Sequence, residues 1–270
     1  MPAALRFTSL QAPNADAHQR QIAGYMAARL GRRLDFVEGP WRQRQAALER
    51  GEIHLAWICG WPYTRWAYQP ESPIELLGAP VMAGNRYLGR PVYFSDVVVR
   101  AESAYGRFRD LAGARWAYNE PGSHSGYNLT CYQLARRRLD AGFFDAVVGT
   151  GSHERALQLL LAGEIDASAL DSTVLATELR ADPALAGRIR VIGRWGPSPA
   201  PPYVATHGLP PELRRGLRDA LAGMHRQREG RAILAAGAMR RIALLHDRDY
   251  EPIRHMARAR RGVELVNDPA

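Results

Sequence analysis

The hydrophobic pattern of the chain begins with a strand, a polar loop, a helix and a second strand. The apolar run LRFTSL at 5–10 predicts the first strand. One helix face is then defined by apolar residues at helical spacing, namely Ile22, Tyr25, Met26 and Leu30. Gly31 is a helix stop, and LDFVEG after it is typical of a second strand.

The same order of elements returns in the middle of the chain. RWAY at 115–118 predicts a strand, and the polar loop NEPGSHSG follows it. The next helix has an apolar side that includes Tyr127, Cys131 and Leu134, and FFDAVVG predicts the matching strand. The repeat is one of architecture, with weak identity between the copies.

A second pair of segments shares the order helix, Gly-Glu-Ile, strand. They read AALERGEIHLAWICG at 46–60 and LLLAGEIDASALDS at 159–172. Ligands of parallel α/β sheets gather at the carboxyl ends of the strands. We therefore expect the loop GWPY at 60–63, the pair Asp171-Ser172 and the loop YNEPGSHSGY to lie at comparable places in two lobes.

Two strand-like runs connect these units, RPVYFSDVVV at 90–99 and RIRVIG at 188–193, and a proline-rich stretch at 196–205 leads into a helical tail. The pattern predicts an α/β fold of two lobes joined by a two-strand hinge. The first lobe is predicted to contain 1–95 plus 200–270, and the second 96–199. A ligand cleft is expected between them.

Composition bounds the class of protein. The chain has 270 residues, of which 46% are hydrophobic and 23% charged, as in ordinary globular proteins. No apolar run approaches the roughly 18 residues of a membrane span. The start, MPAALRFTSL, lacks the features of a signal peptide. The chain is therefore expected to be either cytoplasmic or a mature periplasmic form whose leader has been removed.

All 36 basic residues are arginine, and the net charge is +9. The absence of lysine excludes Schiff-base chemistry and the lysine of a phosphate-binding P-loop. Net positive charge favours anionic ligands, and no nucleic-acid-binding motif accompanies it. Cys59 and Cys131 have neither zinc nor CxxC spacing, so free thiols are the default expectation.

The loop YNEPGSHSGY has the chemistry of an anion site at the start of a helix. Helix N-terminal N–H groups lack partners, glycine allows close approach, and serine hydroxyls add donors. The alternative is that Ser123 or Ser125 simply caps the helix. A Ser-His-Asp site or a metal site using His124 or His153 with Asp171 is a weaker alternative, because neither the motif order nor the ligand spacing supports it.

Several ordered segments resemble the phosphonate/phosphite/phosphate-binding proteins of ABC importers, the PhnD-like family with a type II periplasmic-binding-protein fold. PGSHSGYN is similar to the family's PGSxSGY signature. The N-terminal 5–39, AALERGEIHLAWICGWPYT, GTGSHERALQLLLAGEIDASALDS and IALLHDRDYEPIR are similar to further family segments. The resemblance covers most of the chain and implies two lobes, each a mixed sheet flanked by helices.

The resemblance also implies a ligand-binding role for each matching position. The residues are Ser123, His124, Ser125, Gly126, Tyr127, His153, Asp171, Tyr63, Trp41 and Tyr93. The first five would grip the oxyanion, with His124 at a position that is often threonine or another small polar residue. His153 would approach from the neighbouring loop, and Asp171 would hold an amino group or accept an N–H or O–H. Tyr63 would close over the ligand. The match of Trp41 and Tyr93 to ligand-binding positions of the family is weaker.

The implied function is the substrate-binding component of an ABC importer, which takes up a small anionic ligand by hinge closure and, if exported, docks on a permease. No cofactor, metal, nucleic acid or membrane insertion is implied, and a monomer is expected. The alternative is a cytoplasmic enzyme or ligand sensor on the same fold, in which His124, His153 and Asp171 would be acid/base candidates. A structural hydrogen bond between His153 and Asp171 is a further alternative.

Overall fold

The computed structural model describes residues 4–69, 71–260 and 262–265. The chain divides into two compact units. Unit 1 contains the chain up to Val92 and Pro199–Glu251, and unit 2 contains Tyr93–Ser198 and the chain from Pro252 on. The chain thus crosses between units at the start of one strand, at the end of another, and a third time at Glu251/Pro252.

Unit 1 is built on a six-stranded mixed sheet. Its strands are β1 (Leu5–Ser9), β2 (Leu34–Phe36), β3 (Leu55–Trp57), β4 (Ile74–Met82), β10 (Tyr203–Thr206) and β11 (Met239–Ala243), in the order β11-β4-β10-β3-β1-β2. β1 pairs in parallel with β2 and β3, whereas β10 runs antiparallel to β3 and β4. The helices are α1 (Asp16–Leu30), α2 (Trp41–Glu49), α3 (Gly60–Ala67), α7 (Pro211–Gly223) and α8 (Arg228–Ala236).

Unit 2 is built on a five-stranded mixed sheet. Its strands are β5 (Val92–Arg100), β6 (Arg115–Tyr118), β7 (Ala146–Gly149), β8 (Ala167–Asp171) and β9 (Ile189–Pro199), in the order β7-β6-β8-β5-β9. β6 is parallel to β7 and β8, and β5 is antiparallel to β8. The helices are α4 (Leu129–Arg136), α5 (His153–Leu161), α6 (Ser172–Ala181) and α9 (Glu251–Ala259).

The periodicity predictions hold for the repeated units. α1 ends at Leu30, and the next residue, Gly31, has the left-handed backbone conformation (φ 58°). Ile22 and Met26 on the predicted apolar face are fully buried. β6 has the predicted bounds, 115–118. The strand predicted from FFDAVVG is shorter, because Phe143 lies in a 3₁₀ turn and Phe144 joins the core beside Trp116.

The C-terminal segment corrects the predicted domain division. The sequence analysis placed all of 200–270 in the first lobe, but the described residues after Glu251 belong to unit 2. Met256, Val263 and Leu265 pack into the apolar core of that unit, and the Arg260 guanidinium lies 5.7 Å from the centre of the Tyr127 ring. Hydrophobic burial therefore assigns this segment to unit 2.

Two local predictions are also corrected. The stretch GWPY at 60–63 is the first turn of α3 rather than a loop; proline is tolerated in a first helical turn because the N–H there has no intrahelical acceptor. The proline-rich stretch at 196–205 contains the end of β9 and the start of β10. Neither Cys59 nor Cys131 is part of a disulfide among the described residues, and Cys59 is only partly buried. None of the described helices has the length and apolar character needed to cross a membrane.

Candidate oxyanion site

The loop after β6 turns into a helix through an unusual first turn. Ser123 is the N-cap: its backbone is extended, and its Oγ accepts the Gly126 N–H at 3.2 Å. The turn His124–Asn128 is π-helical, with the Asn128 N–H donating to the Ser123 carbonyl at 3.0 Å. Ser123 therefore caps the helix, as the sequence alternative proposed, and the backbone amides of Ser123, Gly126 and Asn128 are all used internally.

Gly126 is required here for space. An ideal Cβ on Gly126 would lie 2.1 Å from Asn119 Oδ1 and 3.3 Å from His153 Cε1. Its backbone φ is not in the left-handed region, so the constraint is the close approach of these two side chains to the backbone. The glycine of the signature therefore lets the helix start directly against His153.

Backbone hydrogen bonds hold the loop that carries His153 beside the serine loop. Thr150 N–H donates to the Tyr118 carbonyl at 2.9 Å, and Gly151 N–H donates to the Asn119 carbonyl at 2.8 Å. Ser152 caps α5 by accepting the Arg155 N–H. His153 is the first residue of α5 and is only 5% exposed.

The chemical centre of the site is a buried serine–histidine pair. Ser125 Oγ lies 3.1 Å from His153 Nε2, and Ser123 Oγ lies 3.5 Å from Ser125 Oγ. The Ser125 carbonyl accepts the Ser95 hydroxyl at 2.9 Å, which fixes the turn against β5. His153 Nδ1 is buried and has no hydrogen-bond partner within the described part of the chain. Burial lowers the pKa of His153 to about 3, so the ring is neutral at pH 7.

His124 plays a different part from the one expected. It is fully buried; Asn128 Nδ2 donates to its Nδ1 at 3.1 Å, and its Nε2 lies 2.9 Å from Ser198 Oγ. Burial lowers the pKa of His124 to about 3. Because both ring nitrogens have protein partners, the expected extra ligand donor is not available, and His124 instead ties the turn to the end of β9.

Asp171 ends β8, and one of its two carboxylate oxygens is used at the start of α6. Its Oδ1 accepts the N–H and the hydroxyl of Thr173, both at 2.7 Å, so the carboxylate caps α6. Burial, with a smaller contribution from Asp96, raises the pKa of Asp171 to about 6. No bond joins Asp171 to His153, since His153 Nε2 faces Ser125 and Nδ1 is unpartnered within the described residues. A structural His153–Asp171 pair and a Ser-His-Asp triad are therefore both absent from the described site.

The family is decided by the extent of the sequence match. Residues 9–250 match the model of the periplasmic substrate-binding protein of phosphonate ABC transporters. The chain belongs to this phosphonate-binding family. Its resemblance to the family, inferred from PGSHSGYN and the other segments, is confirmed.

Solved structures agree with this family's fold. A binding-protein component of an ABC phosphonate transporter from Pseudomonas aeruginosa has a TM-score of 0.84 at 18% identity, covering 95% of this chain and 86% of that one. PhnD1 from Prochlorococcus marinus, in complex with methylphosphonate, has a TM-score of 0.81 at 15% identity, covering 96% and 98%. A Xanthomonas citri protein bound to ATP has a TM-score of 0.75 at 17% identity, covering 97% and 98%. These likenesses confirm the predicted α/β fold of the type II periplasmic binding proteins.

The aromatic residues carried over from the phosphonate-binding family are mostly engaged within their own units. Tyr63 is 2% exposed and donates its hydroxyl to Asp247 Oδ1 at 2.9 Å, with its ring 4.5 Å from that of Tyr250. Trp41 donates its indole N–H to the Leu10 carbonyl at 3.4 Å. Neither contact involves the Ser125–His153 pair, so the predicted closing role of Tyr63 has no support from its hydroxyl.

Two more carried-over aromatics belong to unit 2 of this phosphonate-binding family member. The Tyr127 ring packs edge-on to Tyr118 at 5.2 Å and belongs to the apolar core. The buried Tyr93 ring lies 6.3 Å from His124. Tyr127 therefore contributes packing through its side chain, and only its backbone N–H remains a candidate for ligand contact.

Sequence reasoning missed three residues that shape the site. Asn119 stands in the quoted loop YNEPGSHSGY, and its buried Oδ1 has no partner among the described residues. Ser95 holds the Ser125 carbonyl, and Ser198 holds His124. Asn119 could have been found from the sequence, because it directly follows a strand and leads into the glycine-serine loop. Ser95 and Ser198 lie on the distant strands β5 and β9, and no sequence pattern pointed to them.

Proposed function

We propose that this chain is the substrate-binding component of an ABC importer, which binds a small oxyanion such as a phosphonate, phosphite or phosphate with the serine–histidine cluster of unit 2. The observation that carries the proposal is the buried His153 ring: its Nε2 lies 3.1 Å from Ser125 Oγ, beside Ser123 Oγ, and its Nδ1 has no partner within the described residues. A buried polar atom without a partner costs about 1–3 kcal/mol. When the ring proton is on Nδ1, a ligand oxygen that accepts it would remove that cost.

The proton count of the pair supports an acceptor ligand. A neutral imidazole has one N–H. If Ser125 donates to His153 Nε2, the ring proton is on Nδ1 and is available to a ligand. If Nε2 donates to Ser125 Oγ, the Ser125 hydroxyl proton is available instead. In both arrangements the pair retains one donor. Ser123, whose Oγ accepts from Gly126, has a further hydroxyl proton, and its contact with Ser125 Oγ uses at most one of these, so at least one donor is left for a ligand.

The site suits binding rather than chemistry. A histidine that activates a serine is oriented by a third group on its other nitrogen, and His153 Nδ1 has no carboxylate among the described residues. His124 and Asp171 are committed to Ser198, Asn128 and Thr173. The proposal is therefore a protein that holds its ligand unchanged, and the enzyme and sensor alternatives have no observation in their favour.

Ligand contacts made only in one conformation shift an equilibrium towards it. We propose that binding closes a hinge between the two predicted lobes around a cleft, and that a membrane permease recognises the closed form. The family implies the periplasm as the place of action, and a monomer is expected. Trp41 and Tyr93 remain weaker candidates for contacts to the ligand.

A thermal-shift panel tests the ligand class. A ligand that binds only the folded state raises the unfolding midpoint in proportion to ln(1 + [L]/Kd). We expect methylphosphonate, phosphite or phosphate to raise the unfolding midpoint. Small uncharged molecules such as methanol should leave it unchanged. If no oxyanion in the panel raises the midpoint, the proposed function is wrong.

A further inference from the structure

Unit 1 contains a buried arginine that the unit 2 site does not use. Arg44 lies on α2, is 9% exposed, and reaches the carboxyl end of β1. Its Nη1 donates to Thr8 Oγ1 at 3.3 Å and to the Ser9 carbonyl at 2.5 Å. These bonds fasten α2 to the edge of the sheet where parallel strands β1 and β3 end, which is where α/β proteins bind ligands.

One edge of the Arg44 guanidinium is not used by the protein. Both of its hydrogen bonds within the described residues come from Nη1, and Nε is buried without a partner there. Nε and Nη2 form the edge that binds two oxygens of a carboxylate, phosphonate or phosphate side by side. An unmet buried donor of a charged group is costly. Arg218 also has an unpartnered buried Nε, but its Nη2 lies 3.4 Å from the Glu75 carboxylate, whereas the hydrogen bonds of Arg44 go only to neutral oxygens.

A second unmet donor lies next to the same strand end. Gln11 N–H donates to Ser9 Oγ at 3.3 Å, while Gln11 Nε2 is buried and unpartnered within the described residues. Ser9 therefore touches both residues, through its carbonyl to Arg44 and through its hydroxyl to Gln11. Two buried donors near the end of β1 therefore lack an acceptor among the described residues, and a bound anion is one group that would satisfy both.

The electrostatics of Arg44 agree with this interpretation. Burial lowers the pKa of Arg44, and the negative charge of Asp16 partly opposes that shift. The guanidinium still keeps its proton at neutral pH. Arg44 is therefore a desolvated cation, and an anion bound to it would meet a stronger field than at the protein surface.

We propose that unit 1 has its own oxyanion-binding position, in which Arg44 Nε and Nη2 bind two oxygens of an anionic group and Gln11 Nε2 donates to the same group. The inference rests on the proposed function, because it takes the same class of anion, and it adds a cationic contact within unit 1.

The experiment compares Arg44→Lys and Gln11→Leu with wild type by calorimetry against methylphosphonate, phosphate, sulfate and acetate. Lysine keeps the charge and can still donate to the Ser9 carbonyl, but it loses the paired donors. We expect R44K to bind its best anion about 10- to 100-fold more weakly. The matched control is R214K, since Arg214 is also largely buried and bonds Glu75 and two carbonyls; its affinity should stay that of wild type.

A second readout separates binding from folding. In wild-type protein labelled at arginine Nε, the Arg44 resonance is the one missing from R44K, and it should move when the anion is added. Unchanged R44K affinity together with an unmoved resonance overturns the inference while leaving the proposed function intact. A moved Arg44 resonance with sulfate or acetate alone supports the inference and refutes the phosphonate assignment. No response to any of the four anions overturns both.

Discussion

Ser125 Oγ and His153 Nε2 lie 3.1 Å apart at the start of two helices that follow neighbouring parallel strands. β6 leads to the turn that carries Ser125, and β7 leads to α5, which His153 begins. The Thr150 and Gly151 amides bond to the residues that end β6, so the two loops are held in one register. The pair is therefore fixed by sheet topology and does not depend on the ligand for its geometry.

The protonation state of the buried histidines gives the first prediction. Burial lowers the pKa of both His153 and His124 to about 3. We expect their side-chain ¹⁵N resonances to stay those of neutral imidazole from pH 8 down to pH 5. A titration of His153 with a midpoint near 6.5 would contradict the desolvated site described above.

The raised pKa of Asp171 predicts how the free energy of unfolding depends on pH. Its pKa in the folded state is about 6, above the roughly 3.9 of an unfolded aspartate. The folded state therefore binds more protons between these values, and the contribution of Asp171 to stability is present at low pH and lost as pH rises through about 6. Asp171→Asn keeps a side-chain oxygen for the α6 cap.

Denaturant unfolding of wild type and D171N at pH 4 and pH 7 measures this effect. Relative to wild type, D171N should gain about 2–3 kcal/mol between the two pH values. The buried histidines are common to both proteins and cancel in the difference. Asp166→Asn is the control of opposite sign, because a hydrogen bond from Arg115 lowers the pKa of Asp166. A D171N difference that does not change with pH would refute the assignment.

Local patterns predicted the elements of this fold better than their long-range partners. The apolar period of α1, its stop at Gly31 and the strand 115–118 depend on neighbouring residues, and all were predictable. The start at Pro211 of α7 and the strand Tyr203–Thr206 were not, because the proline-rich approach masks a strand that is buried between β3 and β4. The segment after Glu251 was assigned to the wrong lobe, because its contacts are distant in sequence: His255 packs on Tyr132 and Arg260 on Tyr127, both more than 100 residues earlier.

The functional site, like the fold, was predictable from local patterns but not in its long-range contacts. Ser123, Ser125, Gly126 and His153 could be placed by the signature, and the structure brings them together. The partners of His124 and Asp171 could not, because Ser198 and Thr173 are ordinary polar residues whose positions depend on the fold. Arg44 was one arginine among 36, and what sets it apart is its burial, which Arg254 shares among the described arginines.

Gly126 gives a prediction about packing. Gly126→Ala would place a methyl group 2.1 Å from Asn119 Oδ1, so Asn119 and then His153 must move. We expect a loss of about 1–3 kcal/mol in unfolding free energy and weaker anion binding. Gly24→Ala is the matched control: Gly24 lies inside α1 with nothing within 4 Å of its added Cβ, and alanine there should gain about 0.5–1 kcal/mol. Equal effects of the two substitutions would show that helix propensity alone decides them.

The most direct test of the central claim is calorimetric titration of methylphosphonate into wild type, Ser125→Ala and Ser168→Ala. Ser168 is an equally buried serine of unit 2, but its hydroxyl donates to the Ala117 carbonyl inside the sheet. We predict that S125A binds about 10- to 100-fold more weakly than wild type, while S168A keeps wild-type affinity whatever it loses in stability. Wild-type affinity in S125A would contradict an oxyanion site built on Ser125 and His153.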